Sequence, residues 1–314
     1  MSRIRVFAPA TVSNVGPGFG VLGFALHRPG DMVEAEGGDR PGVTLVDVTG
    51  DGGRLPRTAA GNAAGVAAAA VLERAGNGRL FPGVRLWLHK GMPLASGLGS
   101  SGASSAAAAV AANIVLGGPL PPLDVVQCAM EGERAASGEP HAGNVAPAVM
   151  GGFVLVRTCQ PLDLIALPVP DGLFVVVIHP HCVMSAAEAR ALLHGRAFPL
   201  SDLVSNAGNV AALVAALHQQ NLPLLGRAVD DRIVEPIRAT LVPGFGAVKR
   251  AALDHGALGC SISGSGPSVF AFAGADDDAA RIAVAMRTAF RESAHLASDA
   301  WIGPVSATGA REVE

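Results

Sequence analysis

Three observations predict an α+β protein. Alternating strand-like stretches and apolar helical runs are mixed along the chain without strict βαβ order, which argues against a doubly wound parallel sheet. Half of the 314 residues are hydrophobic and 16% are charged, which suits a globular chain with a sizeable core and not a disordered one. A second set of elements begins near Leu162, so two domains are expected, residues 1–160 and 161–314.

The elements follow from pattern. Arg3–Pro9 reads as a strand and Ser13–Gly23 as a glycine-rich loop. In "DMVEAEG" Met32, Glu34 and Glu36 alternate with Val33 and Ala35, and "GVTLVDV" alternates likewise, so both are strands. Asn62–Ala75 is an alanine-rich helix stopped by Gly76. Gly83–Lys90 is a strand with Val84, Leu86 and Leu88 on one face. Helices are expected through Leu116 and over Leu123–Ser137, then a loop over Gly138–Gly152 and the strand "FVLVRT". The second half predicts a strand at Leu173–Ile178 and helices at Ala186–Leu193, Leu203–Gln220, from Leu225 and at Ala247–His255. A loop over Gly259–Ser268, the strand "VFAFA", a long helix from Asp277 and a short terminal strand complete it.

Bulk chemistry removes several classes of function. The net charge is −3 and the basic residues are scattered, so there is no footprint for nucleic acid and no basic run for a membrane surface. Apolar stretches such as "LFVVVIHP" are too short to span a bilayer, and the N-terminus lacks the apolar core of a signal peptide. Cys128, Cys159, Cys182 and Cys260 have no paired spacing, so they read as buried free thiols of a reducing compartment, and a cytoplasmic location is expected.

Forty glycines exceed the usual share of about 7%, and they cluster. In "PLASGLGSSGASSAAAAVAA" (from Pro93) bare amides converge directly before a strong helix former. Such a stretch is either a flexible Gly/Ser loop with a capped helix or an anion site built from loop amides and the positive end of the helix dipole. No lysine follows in the place G-x-x-x-x-G-K-[ST] requires, and no Rossmann G-x-G-x-x-G opens a unit, so any phosphate loop here is of another kind.

The stretch resembles the P-x-x-S-G-L-G-S-S-A motif of the GHMP kinase superfamily, which includes galactokinases, homoserine kinases and mevalonate kinases. "APATVSNVGPGFGVLG" (Ala8–Gly23), "HAGNVAPAVMGGF" (His141–Phe153), "IVEPIRATLVPGF" (Ile233–Phe245) and "GCSISGSGPS" (Gly259–Ser268) resemble, in order, further motifs of the homoserine kinases. The resemblance implies a two-domain fold, ribosomal-S5-domain-2-like and then ferredoxin-like. It also implies an ATP- and Mg²⁺-dependent kinase that phosphorylates the homoserine hydroxyl on the way to threonine.

Residue by residue, the resemblance implies phosphate contacts from Pro93, Ser96, Gly97, Leu98, Gly99, Ser100 and Ser101, closed from the second domain by Gly264 and Gly266. It places Asn62 near the adenine. Ser101 and Glu133 become the Mg²⁺ pair, a hard cation suiting oxygen ligands; outside the motif Glu133 reads as a solvated helix residue. Arg190 and Arg238 become a fork for the substrate carboxylate. Asn14 and Asn144 line the acceptor and γ-phosphate region and, with Arg190, form the catalytic set; His141 accompanies them or is a satisfied structural histidine. A homodimer is the family expectation.

Two positions depart from the pattern. Gly20 and Gly143 stand where the family carries aspartates, and Ala186, beside Ser185, stands where a threonine is usual. Each lost charged hydrogen bond is worth about 1.5–3 kcal/mol. Three readings follow: homoserine turnover by positioning and metal electrostatics alone, a small hydroxy acid without an ammonium group, or ATP binding with little catalysis. Glu139 is near enough in sequence to replace one aspartate.

Overall fold

The computed structural model describes residues 3–76, 83–184 and 186–314; Ser185 lies outside the described residues. In chain order the elements are β1 (Ile4–Ser13), β2 (Leu22–Gly38), β3 (Val43–Thr49), α1 (Ala63–Gly76), β4 (Gly83–His89), α2 (Ser100–Val115), α3 (Pro122–Ser137), α4 (Ala142–Met150), β5 (Phe153–Cys159) and β6 (Leu162–Leu167). Then come β7 (Phe174–Pro180), α5 (Ala186–Ala191), α6 (Leu200–Gln219), α7 (Leu222–Ala228), α8 (Glu235–Arg238), α9 (Phe245–Asp254), β8 (Gly259–Ile262), β9 (Val269–Ala273), α10 (Asp276–Ala294), β10 (Ser298–Pro304) and β11 (Arg311–Val313).

The first sheet has seven strands, with β11-β1-β2-β4-β3 in order and β5 and β6 joined through β2. Strand β2 is long enough to serve two partners: Met32–Gly38 pairs with β4 while Leu22–Phe24 pairs with β5. The second sheet runs β10-β7-β9-β8 and is antiparallel throughout. Numbered within the domain this is the order 4-1-3-2, with helices between its first and second and its third and fourth strands, which is the ferredoxin-like arrangement.

The sheets do not divide at residue 160. Strand β6 lies past that point and pairs with β5, and β11 returns from the far end of the chain to pair with β1. The edge pairing of β1 leaves a place for β11 that local sequence does not advertise.

Helix α2 owes its position to its alanines. Ala103, Ala106–Ala109, Ala111 and Ala112 are fully buried, and a side chain of one methyl lets α1, α3, α4 and strands β1 and β2 all approach the same cylinder. Gly132 of α3 makes the same point: a Cβ there would come within 2.4 Å of the Ala63 carbonyl oxygen and 2.5 Å of Ser105 Oγ. Helix α3 starts on Pro122 and stops at Gly138, whose φ is 82°.

Four phenylalanines join the domains. Phe24 and Phe153 of the first pack against Phe270 and Phe272 of the second, with ring centroids 4.9–6.3 Å apart. Each buried ring contributes about 1.5–3 kcal/mol, so the cleft stands on a shared core and not on a loose hinge.

Several expectations are corrected. Gly138–Gly152 is not all loop: Ala142–Met150 is helix α4 despite Gly143 and Pro147. Propensity argues against a helix there. Tertiary packing overrides it, because Gly23 of β2 has no side chain and lies against the Gly143 carbonyl. Gly259–Ile262 of the expected loop is strand β8, and β6 and β10 are strands the pattern did not announce. All four cysteines are free, but only Cys128 and Cys260 are buried; Cys159 is exposed. Helix α6 is long and apolar enough, by length and composition alone, to cross a membrane. Its Asn206 is nevertheless buried and donates to Asp231 at 2.9 Å.

Candidate active site

Both domains open onto a cleft of about 880 Å³. On the first-domain side the chain leaves β4, forms the loop Gly91–Gly99 and enters α2. Gly99 caps α2 in the left-handed conformation (φ 65°) with no side chain closing the helix, so the first-turn amides keep no capping partner. Gly97 also needs a bare Cα: φ is 77°, and a Cβ would sit 2.5 Å from the Gly266 oxygen and 2.6 Å from the Ser263 oxygen.

The second domain straps this loop in place. Ser263 Oγ donates to the Gly97 carbonyl at 2.7 Å, and Ser268 Oγ donates to the Ser96 carbonyl at 2.6 Å. The Gly264 amide reaches the Ser13 carbonyl at 3.1 Å. Leu98 is fully buried, its carbonyl accepting from the Thr11 amide, so it anchors the loop from behind. Pro93, Leu98 and Gly266 are not among the described residues lining the cleft, whereas Ser96, Gly97, Gly99, Ser100, Ser101 and Gly264 are.

Glu133, 4% exposed on α3, lies beneath the start of α2. Burial pushes its carboxyl up to about 7 against the opposing pull of the Ser101 and Ser137 hydroxyls and of Lys90. Its Oε2 is buried with no hydrogen-bond partner, and so are Ser96 Oγ and Ser100 Oγ. A buried carboxylate with an orphaned oxygen beside a hydroxyl is a donor set that fits a hard divalent cation.

Lys90 was not singled out from sequence. Its ammonium is buried on the Asp31 carboxylate and donates to the Ser100 carbonyl and the Ser104 hydroxyl, both at 2.8 Å. Ser104 donates in turn to Asp31 at 2.7 Å. Burial lowers the Lys90 pKa and the Asp31 charge opposes that. The signal was present, since Lys90 continues the Val84–Leu86–Leu88 face of β4 and is thereby placed inward.

Two cations, Arg190 and Arg238, also line the cleft. Arg238, buried on α8, donates to the Gly264 carbonyl at 2.8 Å, stacks 5.0 Å from the Phe19 ring and leaves its Nε unpartnered. Burial pushes its pKa down to about 10, and the neighbouring Arg190 charge pushes the same way. Arg190 Nη2 meets His141 Nε2 at 2.9 Å. A guanidinium only donates, so His141 accepts there as the neutral ring, and burial together with Arg190 lowers its pKa.

Other expected residues are used for architecture as well as lining. Asn14 has both polar ends spent: Nδ2 donates to the Gly264 carbonyl at 2.9 Å and Oδ1 accepts from the Gly20 amide at 3.1 Å. Asn144 lines the cleft and accepts from Thr11 Oγ1 at 3.1 Å. Asn62 caps α1 through Ala64 N at 3.0 Å and donates to the Pro56 carbonyl at 2.9 Å. Gly20 lines the cleft with nothing within 4 Å of a notional Cβ, and Gly143 has neighbours no nearer than 3.7 Å, so neither glycine is enforced by crowding.

This cleft defines the class. Residues 62–152 match the GHMP kinases N terminal domain and residues 213–292 the GHMP kinases C terminal domain, so the protein is a phosphotransferase of the GHMP kinase superfamily. The chain is 46% identical to a homoserine kinase of Chlorobium phaeobacteroides over the full length of both, and 43% identical to one of Arabidopsis thaliana over 99% of this chain and 84% of that one. A homoserine kinase structure from Cytophaga hutchinsonii superposes with a TM-score of 0.94 at 45% identity, covering 100% and 98% of the two chains. Within the superfamily the chain belongs to the homoserine kinases. The L. major mevalonate kinase, at 18% identity and a TM-score of 0.71, shares the fold.

Proposed function

We propose that this protein transfers the γ-phosphoryl group of ATP to the side-chain hydroxyl of homoserine, giving O-phosphohomoserine, ADP and a proton. The observation that carries this reading is the convergence of unpartnered polar atoms on residues of one cleft: Ser96 Oγ, Ser100 Oγ, Glu133 Oε2 and Arg238 Nε.

The loop amides from Gly97 to Ser101 and the uncapped head of α2 receive the phosphates. Ser101 and Glu133 hold Mg²⁺, which when bound neutralises phosphate charge. Arg190 and Arg238 take the acceptor carboxylate, both from the second domain, and Asn144 faces the acceptor from the first. Asn14 acts by positioning, since it ties the Gly20 loop to Gly264. Phosphoryl transfer asks mainly for alignment and charge stabilisation, and no residue is assigned as a general base.

The reading carries a cytoplasmic location and a homodimer. Supporting the latter, Leu200, Leu203 and Val204 of α6 are all exposed. ADP release measured with homoserine and with a panel of hydroxy acids tests the function. Turnover on homoserine above the ATP-only background is expected; ATP binding with no stimulating acceptor would overturn the reading.

A further inference from the structure

An α-amino acid carries its carboxylate and its ammonium on one carbon. A site that holds both needs a cationic and an anionic group side by side. Arg190 and Arg238 supply the cationic half, but Gly20 and Gly143 supply no charge. Among the described residues that line the cleft, the carboxylates are Glu133 and Glu139. Glu133 is buried against Ser101 at the phosphate end. That leaves Glu139.

Glu139 lies in the short connection between α3 and α4, and its backbone is fixed there by Ser137 Oγ, which donates to the Glu139 carbonyl at 2.8 Å. Its carboxylate stands 3.7 Å from Arg190 Nη1, longer than a hydrogen bond, and its side chain is 57% exposed. The other terminal nitrogen of Arg190 is engaged by His141 at 2.9 Å. Arg190 is therefore oriented by His141, while Glu139 stays beside it in an ion pair too long to be a hydrogen bond. Guanidinium and carboxylate form an adjacent, loosely joined pair into which a zwitterionic head can insert with each charge facing its opposite.

Resting on the homoserine reading above, we infer that Glu139 receives the ammonium group of the acceptor and makes the site selective for an α-amino acid over a plain hydroxy acid. Its carboxylate comes from a loop position next to His141 and does the work that neither glycine can do.

The test compares homoserine with 4-hydroxybutyrate, which keeps the hydroxyl and carboxylate and lacks the ammonium. Wild type is measured first. If it does not turn over homoserine, the functional reading fails before any variant is made. If it does, Glu139→Gln is expected to lower kcat/KM for homoserine at least tenfold, through KM. The same variant leaves 4-hydroxybutyrate within twofold and the KM for ATP unchanged. Glu139→Asp, which keeps the charge, retains a preference for homoserine. Equal loss on both acceptors would mean that Glu139 only orients Arg190, and no loss on either would mean that it is idle; each result overturns the inference while leaving the homoserine reading intact.

Discussion

The Ser268 hydroxyl donates to the Ser96 carbonyl at 2.6 Å, so a residue of the second domain fixes the loop by which the first domain enters α2. Buried His179 stands behind the same hydroxyl, its Nδ1 3.1 Å from Ser268 Oγ. The Gly91–Gly99 loop is thus held from the second domain, while the Thr11 amide holds the Leu98 carbonyl from the first, and its geometry depends on how closely Gly97 and Gly266 approach.

Gly97→Ala is expected to destroy that approach. The new methyl would meet two backbone oxygens inside 3 Å at a φ that disfavours side chains. Strain of about 1–3 kcal/mol is expected, read as a fall in the urea midpoint, together with a rise in KM for ATP of at least tenfold.

Glu133 sets a pH dependence. Its folded pKa of about 7 is raised above the ordinary 4.5, so its contribution to stability is fully present below 4.5 and lost as the pH climbs through about 7. At about 1.36 kcal/mol per pH unit between 4.5 and about 7, the loss is on the order of 3–4 kcal/mol. Glu133→Gln should therefore raise the metal-free stability at pH 8 and flatten its pH profile, while reducing kinase activity at least a hundredfold. Denaturation at pH 5 and 8 with parallel turnover assays checks both signs.

Lys90→Met should leave Asp31 buried and unpaired. Breaking one side of such a pair costs about 3–5 kcal/mol. Adding Asp31→Asn removes the stranded charge and can keep the bond from the Gly91 amide, at 3.0 Å in the native protein. Most of the lost stability should return in the double variant, as urea titration of the four proteins of the cycle would show.

Arg238→Lys keeps a positive charge but loses the fork that serves Gly264 and the open Nε site together. A fall of about a hundredfold in kcat/KM for homoserine is expected, concentrated in KM. The KM for ATP should stay within threefold.

What could be read from sequence was what is decided locally. The glycine loop followed by an alanine run announced the helix head, though not the close packing of α2, and the period-2 strands β2, β3 and β4 announced themselves. Helix α4 did not, because Gly143 and Pro147 oppose it locally and only the bare backbone of Gly23 makes room for it. At the site, Arg190, Arg238, Ser101 and Glu133 were legible through motif resemblance and lie in one cleft. The Ser263 and Ser268 straps were not, since their partners lie far away in the chain. Lys90 was legible in principle from its place on the inward face of β4.

The return of Arg311–Val313 to the side of Arg5–Phe7 bears on how the protein is made. Strand β1 leaves the ribosome long before Arg311–Val313 and must wait for this outer neighbour while every element between them emerges. Over that interval its edge stays open, a template for wrong pairing in the nascent chain.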